Sequence, residues 1–391
     1  MPKKGINIYH RKDGRWEGQY YYDINPKTGR RRKISRYGQT EKEAKEKLLS
    51  AINEIKSGTY VEKSKLTLEG WLNQWLEVYA RPKVKQSSYI NYRLYITKHI
   101  SPNIGKLKLV DLRVDLLQQF FNEKAEHGRL DGKGGLSEKT LRNMYTMFST
   151  ALKQAYENSL INRNFVEFVK LPKVTKKEMR VLSLSEEQKL LTTIKASDER
   201  YKIGILICLC TGIRVGELCG LQWRDIDEVT HVLSIRRTLN RLPAMDQSKR
   251  KTELVIGIPK SDKSIRDIPL PSFLIDDLKA YKAQRDKEKV AAGDIYDERG
   301  FIICNEIGRP IEPRTMEDVF KRLLISAGVA NANFHAMRHT FATRAVESGV
   351  DIKTLSELLG HADVSTTLNR YAHSLDEQKR KAMALMAGLY Q

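Results

Sequence analysis

The sequence predicts a multidomain protein, with a small three-stranded sheet plus helix, an all-α domain and a mixed α+β domain. Three observations lead to this fold class. The chain has 391 residues, more than one ordinary domain needs. Strand patterns and turns fill residues 1–62, and helical periodicity alone fills 63–173. Over 174–391 helix and strand patterns are mixed. We therefore expect three domains with these boundaries.

Composition limits the class of partner. The chain has 69 Lys+Arg against 48 Asp+Glu, a formal net charge of +21, and nucleic acid is the usual partner of so basic a protein. A membrane surface is the competing partner, but the sequence has no apolar run near about 18 residues and no lipidation signal. The N-terminus lacks the apolar core of a secretory signal. None of the four cysteines forms a CxxC pair, so we expect buried free thiols and a cytoplasmic location.

The first domain begins with three predicted strands, at residues 5–12, 16–25 and 30–38. Asp13-Gly14 and the sequence NPKTG separate them and are typical of turns. A helix is predicted over 41–57, where Thr40 and Glu43 have the spacing of a capping box. Its apolar face comprises Ala44, Leu48, Ile52 and Ile55.

Basic residues cluster on or beside the third predicted strand. They are Arg30, Arg31, Arg32, Lys33 and Arg36. Four tyrosines interleave with them: Tyr20, Tyr21, Tyr22 and Tyr37. A small basic and aromatic sheet of this kind fits a DNA groove, so these five basic side chains are the predicted DNA contacts. The alternative interpretation is a solvated charged face on a small domain.

The second domain reads as a small helical domain. The first predicted helix covers Leu68–Tyr79 and has an aromatic face. The second covers residues 86–100 and ends before Pro102, and the third covers residues 111–127 and ends at Gly128. The fourth begins at its N-cap Ser137. The fourth has an apolar inner face: Leu141, Met144, Phe148, Ala151 and Leu152. A charged linker over 170–180 follows it.

The third domain mixes both patterns. Helices are predicted at 185–195, 199–210, 214–221, 272–288, 313–327, 336–348, 351–359 and 365–372. Strands are predicted at 231–240, 253–260, 264–270 and 300–304. The sequence IGIPKSDKSIRDIPL within this domain is predicted to be a β-hairpin with SDKS as its turn.

Four short motifs in the third domain carry the chemistry. They are TGIRVGELCG, IPKSDKSIRDIPL, HAMRHTFATR and ELLGHADVSTTLNRYAH, and they supply Arg214, Lys260, His335, Arg338, His361 and Tyr371. A phosphodiester under attack gains negative charge on its non-bridging oxygens, which preorganised arginines stabilise. Two arginines, a lysine, two histidines and a tyrosine make a site that cuts a phosphodiester without metal. Glu217, one helical turn after Arg214, is placed to orient it.

A zinc site is the competing interpretation of the histidines. His335 and His339 are four residues apart, but HExxH requires glutamate where this chain has Ala336. Arg338 between them would also repel a dication. We therefore expect no metal and no cofactor.

The order and surroundings of the six residues resemble the catalytic set of the tyrosine recombinase (phage-type integrase) family. The three-part layout most resembles integrases of conjugative transposons and temperate phages. The resemblance implies an arm-site DNA-binding domain, a helical core-binding domain and a tyrosine-recombinase catalytic domain, in that order. It implies a bacterial, nucleoid-associated DNA strand transferase that integrates and excises a mobile element.

The resemblance also implies a role for each motif residue. Tyr371 would form a 3′-phosphotyrosyl link, with Arg214 and Arg338 on the phosphate. His335 would assist proton transfer, and His361 would hydrogen-bond a non-bridging oxygen. Lys260 would be the general acid, with Lys263 as an alternative three residues away.

Several implications of the resemblance leave alternatives open. The expected partners are double-stranded DNA, with core and arm sites, and three further copies in a homotetramer. The amphipathic tail 374–391 would dock on a neighbouring subunit or pack on its own domain. The need for an excisionase or a host DNA-bending protein stays open. A relaxing topoisomerase and a non-catalytic DNA-binding regulator on the same fold are the competing functions.

Overall fold

The structure, a computed structural model, describes most of the chain. The described residues are 6–24, 29, 31–56, 65–173, 179–244, 251–259, 262–371, 383 and 386–387, with the backbone alone at 54, 262 and 369–371. The chain divides into two compact units, Met1–Thr175 and Lys176–Gln391. The further division at residues 62 and 63 stays a prediction.

The N-terminal strands form an antiparallel sheet in the order β1-β2-β3, as predicted. Its strands are β1 (Ile6–His10), β2 (Trp16–Ile24) and β3 (Arg31–Gly38). Helix α1 (Glu41–Lys56) packs on one face of this sheet, where Ile34 of β3 meets Leu48 and Ile52. Gly18 allows the close approach, because a Cβ there would lie 3.0 Å from the Leu48 side chain.

The start of α1 is capped almost as predicted. The Thr40 hydroxyl accepts the Glu43 N–H at 3.2 Å. The Glu43 carboxylate accepts the N–H of Gln39 at 2.8 Å, one residue before the position that a capping box uses. Of the predicted apolar face, Ala44, Leu48 and Ile52 are buried and Ile55 is half-buried. The amphipathic helix is therefore confirmed.

The following segment is helical throughout, as predicted. Its elements are α2 (Leu68–Trp75), continued by a π-helical turn over Leu76–Ala80, α3 (Gln86–Leu94), continued over Tyr95–Ile100, α4 (Ser101–Ile104), α5 (Val114–His127) and α6 (Glu138–Glu157). Ser137 caps α6 by accepting the Thr140 N–H at 3.2 Å. The predicted inner face of α6 is buried at all five positions. The Trp71 indole donates to the Ala151 carbonyl at 2.9 Å and joins α2 to α6.

The prediction that the second helix stops before Pro102 is wrong. The chain remains helical as far as Ile104. Pro102 lies in the first turn of α4, a position that tolerates proline. A proline therefore marks a junction of helical segments here and does not end the helix.

The second unit contains the remaining elements. Its helices are α7 (Leu184–Ala196), α8 (Lys202–Thr211), α9 (Val215–Cys219), α10 (Ser272–Ala292), α11 (Pro313–Ser326), α12 (His335–Glu347), α13 (Ile352–Leu359) and α14 (Val364–Tyr371). Its strands are β4 (Ile226–Asp227), β5 (Val232–Ile235), β6 (Thr238–Pro243), β7 (Thr252–Gly257) and β8 (Arg266–Pro269). The sheets have the orders β4-β5-β8 and β6-β7. The eight predicted helices are confirmed.

Two strand predictions in this unit are wrong. Residues 300–304 form only isolated bridges, at Phe301 and Cys304. Residues 301–304 are buried, so their apolar run reflects burial and not a strand, a case that periodicity alone does not resolve. The predicted strand at 231–240 is interrupted and forms β5 and β6.

The predicted hairpin over residues 256–270 is also wrong. β7 pairs with β6, whereas β8 pairs with β5, so its two halves belong to different sheets. The chain leaves the ladder after Gly257 and returns at Arg266, and residues 262–264 form a short 3₁₀ turn. Strand pairing depends on contacts distant in sequence, which local patterns do not report.

The core of the second unit surrounds α8, which is buried along almost its whole length. The four cysteines are free, and Cys208, Cys219 and Cys304 are buried. Burial raises the pKa of the half-buried Cys210 thiol to about 11. Within the described ranges, no helix combines the length and apolar character that crossing a membrane requires.

Candidate active site

A left-handed glycine turn places Arg214. Helix α8 ends at Gly212, whose φ is +63° and whose N–H donates to the Cys208 carbonyl at 2.9 Å. A Cβ at Gly212 would lie 2.6 Å from the Phe341 ring, so both the backbone and the packing require glycine. Arg214 then becomes the N-cap residue of α9. The turn therefore fixes the position of the Arg214 backbone, from which the guanidinium extends.

Glu217 orients Arg214, as predicted. The Glu217 carboxylate accepts the backbone N–H of Arg214 at 3.0 Å and its Nη1 at 2.7 Å. Glu217 is buried, with 1% of its surface exposed, whereas 38% of the Arg214 side chain is exposed. The carboxylate is therefore part of the interior, and the arginine that it holds remains open to a ligand.

A second arginine, Arg266 at the start of β8, shares the same carboxylate. Its Nη2 donates to Glu217 Oε2 at 3.0 Å. Burial raises the pKa of Glu217, but the charges of Arg266 and Arg214 outweigh this and hold the pKa below its usual range. Glu217 is therefore an anion between two cations.

Arg338 is held by the ends of two helices. It is 2% exposed. Its Nη1 donates to the Gly212 carbonyl at 2.9 Å and its Nη2 to the Leu359 carbonyl at 2.6 Å. These carbonyls lie at the C-termini of α8 and α13, where the helix dipole favours a cation. The guanidinium thus lies against the residues that precede Arg214 and His361.

The end of α13 directs His361 out of the helix. Gly360 has a φ of +63°, its N–H donates to the Glu357 carbonyl at 2.9 Å, and the His361 N–H donates to the Ser356 carbonyl at 3.0 Å. This is a Schellman motif, which requires a residue that tolerates the left-handed region. A Cβ on Gly360 would lie 2.9 Å from Arg266 Nη1.

His361 is hydrogen-bonded to the helix that carries Tyr371. Its Nδ1 lies 2.7 Å from the hydroxyl of Thr367, which is fully buried. Helix α14 starts after Asp363, whose carboxylate accepts the Ser365 N–H at 2.9 Å. Tyr371 is the last residue of α14, four residues after Thr367 and therefore on the same helix face. Its side chain lies outside the described atoms, so its approach to the arginines stays a prediction.

The two histidines of α12 lie in contact. Their ring centroids are 4.5 Å apart, with the planes nearly perpendicular. His335 is exposed and His339 is buried. His335 and Arg338 are one turn apart on α12, which fits a shared site. In the described ranges, no three His, Cys, Asp or Glu side chains form a group that could hold a metal ion.

Lys260 and Lys263 both remain candidates for the general acid. Lys260 lies outside the described residues. The exposed Lys263 donates from Nζ to the Ala362 carbonyl at 2.9 Å, directly after His361. Lys263 therefore borders the site, and it remains the alternative general acid.

These contacts bring three of the predicted residues together. Arg338 contacts Gly212 and Leu359, and each is two residues from a further site residue, a chain distance of at most about 7 Å. Arg214, Arg338 and His361 thus surround one region where cations are held by hydrogen bonds. Such an arrangement stabilises a phosphate that gains charge.

Sequence reasoning missed Arg266 and Thr367. Arg266 shares its strand face with the buried residues Ile268 and Leu270. An arginine at a position where the alternation predicts an apolar residue could have indicated a buried cation. Thr367 precedes Tyr371 by one helical turn, which was a weaker signal. Neither signal names the partner.

The basic residues of the N-terminal sheet do not share one face. Arg30 lies outside the described residues. Strand alternation places Arg31 and Lys33 on the face opposite α1, and Arg32 and Arg36 on the side of Ile34, which packs on α1. We call the side without α1 the open face.

A buried carboxylate organises the open face. Glu17 accepts hydrogen bonds from Tyr9 at 2.8 Å, Arg11 at 2.7 Å and Gln19 at 2.8 Å. Burial alone would raise the pKa of Glu17, but these donors lower it to about 2. Glu17 is therefore ionised and fixes several polar side chains on this face.

Known proteins match the chain over most of its length. The profile of the phage integrase family matches residues 180–378, that of the phage integrase N-terminal SAM-like domain 67–125, and that of an arm DNA-binding domain 7–55. The tyrosine recombinase XerC-like protein of Caldanaerobacter subterraneus subsp. tengcongensis is 31% identical over 386 residues, 95% of this chain and 97% of that protein. The chain belongs to the phage integrase family. It is a site-specific tyrosine recombinase, as the motifs predict.

Solved structures share the fold of this recombinase. The Tn1549 transposon integrase in complex with a circular intermediate DNA has a TM-score of 0.67 and 22% identity, over 82% of this chain and 99% of that one. The lambda integrase tetramer bound to a Holliday junction has a TM-score of 0.52 and 22% identity, over 92% and 94%. The predicted family and fold class are confirmed.

We predict that Gly360→Ala destabilises the recombinase more than Gly328→Ala. Both glycines have a positive φ, +63° and +62°, but a Cβ at Gly328 meets nothing within 4 Å. We expect about 1 kcal/mol from the backbone at either site, and about 1–3 kcal/mol more at Gly360, where the new methyl group meets Arg266. Denaturant unfolding measures both. Equal losses would contradict the tight packing of Arg266 against Gly360.

Proposed function

We propose that this recombinase integrates and excises a mobile element by cutting and rejoining DNA through a 3′-phosphotyrosyl intermediate. Tyr371 is the nucleophile. Its oxygen bonds to the scissile phosphorus, and the bond to the 5′-oxygen breaks. The 5′-hydroxyl of a partner strand then attacks the phosphotyrosine and reseals the backbone. One ester replaces another at each step, so the reaction needs no external energy source.

The hydrogen bonds of Arg338 support this proposal most strongly. A guanidinium fixed by two helix-end carbonyls is already oriented before DNA binds. Arg214, held by Glu217, supplies the second cation. Together they stabilise the charge on the non-bridging oxygens as it grows. His361 contributes a hydrogen bond to one of these oxygens through Nε2, because its Nδ1 is hydrogen-bonded to Thr367.

Two protons must move in each cleavage step. Tyr371 loses its hydroxyl proton, and a tyrosine of ordinary pKa, about 10, needs help to do so at neutral pH. His335 assists this transfer. The leaving 5′-oxygen gains a proton from Lys260, or from Lys263 if that side chain turns away from the Ala362 carbonyl.

The partners follow from the same proposal. The catalytic and helical regions bind a core site on double-stranded DNA, and the N-terminal sheet binds arm sites through its open face. Four copies hold two duplexes during strand exchange, a proposal supported by the lambda integrase tetramer bound to a Holliday junction. The tail 374–391, of which only residues 383, 386 and 387 are described, docks on a neighbouring subunit. The enzyme works at the bacterial nucleoid in the cytoplasm, and the need for an excisionase or a host DNA-bending protein stays open.

We predict that Tyr371→Phe abolishes covalent attachment to a core-site substrate with a nick next to the cut. The nick lets the short 5′ fragment diffuse away, so the wild-type enzyme accumulates as an adduct visible on a denaturing gel. Phenylalanine lacks the attacking oxygen but preserves the ring, so DNA affinity should change less than about threefold. Tyr281→Phe is the control, because this tyrosine is mostly buried beside Trp223. An adduct formed by Tyr371→Phe would show that another residue is the nucleophile.

We predict that the open face of the N-terminal sheet carries the arm-site affinity. The pair Arg31→Ala and Lys33→Ala should lower the slope of log affinity against log salt by about 2, because two phosphate contacts are lost. The pair Arg32→Ala and Arg36→Ala removes the same charge from the side of α1 and should change the slope less. Fluorescence anisotropy with labelled arm-site DNA measures both. Equal slopes would show that net charge alone binds the arm site.

A further inference from the structure

We propose that Arg266 is a positioning residue for strand cleavage. Its hydrogen bonds hold Arg214 and the turn at Gly360, directly before His361, in one fixed geometry. This role rests on the proposed function of Arg214 and His361. Arg266 acts on the site through protein groups, because its Nε, Nη1 and Nη2 all donate to protein oxygens.

The three nitrogens of Arg266 donate to three different parts of the fold. Nη2 donates to Glu217 on α9 at 3.0 Å, Nε to the Leu358 carbonyl at the end of α13 at 2.5 Å, and Nη1 to the Ser264 carbonyl at 3.0 Å. Ser264 belongs to the segment between β7 and β8 that contains Lys260 and Lys263. One side chain therefore joins the segments that carry three catalytic groups.

The link to Arg214 is electrostatic as well as geometric. Glu217 has one oxygen on Arg214 Nη1 and the other on Arg266 Nη2. If Arg266 is altered, the buried carboxylate loses a partner and draws Arg214 towards itself. Arg214 would then present a poorer geometry to the phosphate, and a misplacement near 1 Å costs roughly a hundredfold in rate.

The link to His361 depends on Gly360. The Arg266 guanidinium lies where a side chain on Gly360 would be, with Nη1 2.9 Å from the position of such a Cβ. The guanidinium thus packs against the turn at Gly360, which sets the position of His361. Lysine retains the charge of Arg266 but cannot donate in three fixed directions.

Arg266→Lys and Arg344→Lys provide a matched test. Arg344 also donates to carboxylates and a carbonyl, at Glu187 (3.0 Å), Glu347 (2.5 Å) and Leu182 (2.7 Å), and all three of these partners lie outside the proposed site. The measurement is the single-turnover rate of adduct formation on two nicked substrates. One has an ordinary scissile phosphate, and the other has a methyl group in place of one non-bridging oxygen, so that this phosphate is neutral.

We expect Arg266→Lys to lower the rate about 10- to 100-fold on the ordinary phosphate, with DNA affinity within about threefold of wild type. On the neutral phosphate the loss relative to wild type should shrink to about threefold or less, because less charge needs an arginine. Arg344→Lys should retain the wild-type rate on both. Glu217→Gln combined with Arg266→Lys should slow the reaction by less than the product of the two single losses, because both variants act partly through Arg214.

The outcomes separate the two claims. A wild-type enzyme that forms no adduct would overturn the proposed function and the positioning role with it. An active wild type with an unimpaired Arg266→Lys variant would overturn the positioning role alone. An equal loss on both substrates, or an equal loss in Arg344→Lys, would mean that Arg266 supports only the fold.

Discussion

The ion pair between Glu217 and its two arginines is the constraint on which the site depends. A site that binds phosphate through protein side chains must gather positive charge, and gathered cations repel one another. Here one buried carboxylate lies between Arg214 and Arg266. Removing Glu217 would leave two neighbouring cations without their shared anion, and the buried Arg266 would lose its ion-pair partner, which is costly. The anion therefore stabilises the cluster while leaving part of Arg214 exposed.

Helix ends solve the same problem for Arg338. Its guanidinium is almost wholly buried, and the two carbonyls that it contacts carry partial negative charge at the ends of α8 and α13. Both helices end in a left-handed glycine, which frees the chain to turn just before a site residue. The same backbone feature thus supplies the acceptors for one cation and the direction of the next group. Local geometry and electrostatics are not separable here.

Much of this was readable from the sequence, and the failures have physical causes. Ser137 and Thr40 marked helix starts correctly because capping is local. The predicted strand at 300–304 and hairpin at 256–270 failed because burial and strand pairing are set by distant segments. Arg214 and Glu217 were paired correctly, since three residues separate them on a helix. Arg266 was missed because Glu217 is distant in sequence, and only the fold brings them together.

The structure also places on two faces of the sheet the described basic residues that the sequence predicts as one DNA-binding surface. Five basic residues near β3 looked like one surface, but alternation separates those described onto two faces. Glu17, on the neighbouring strand β2, organises the polar side chains of the open face. Net charge predicted the class of partner, while the pleat of the sheet decides which side chains can meet it.

The most direct test of the account is a structure of the covalent complex formed on nicked core-site DNA. We expect the phosphorus bonded to the Tyr371 oxygen, with Arg214, Arg338 and His361 each donating to a non-bridging oxygen at about 2.7–2.9 Å. A phosphate attached to Tyr371 but turned away from both guanidinium groups, or attached to another residue, would contradict it.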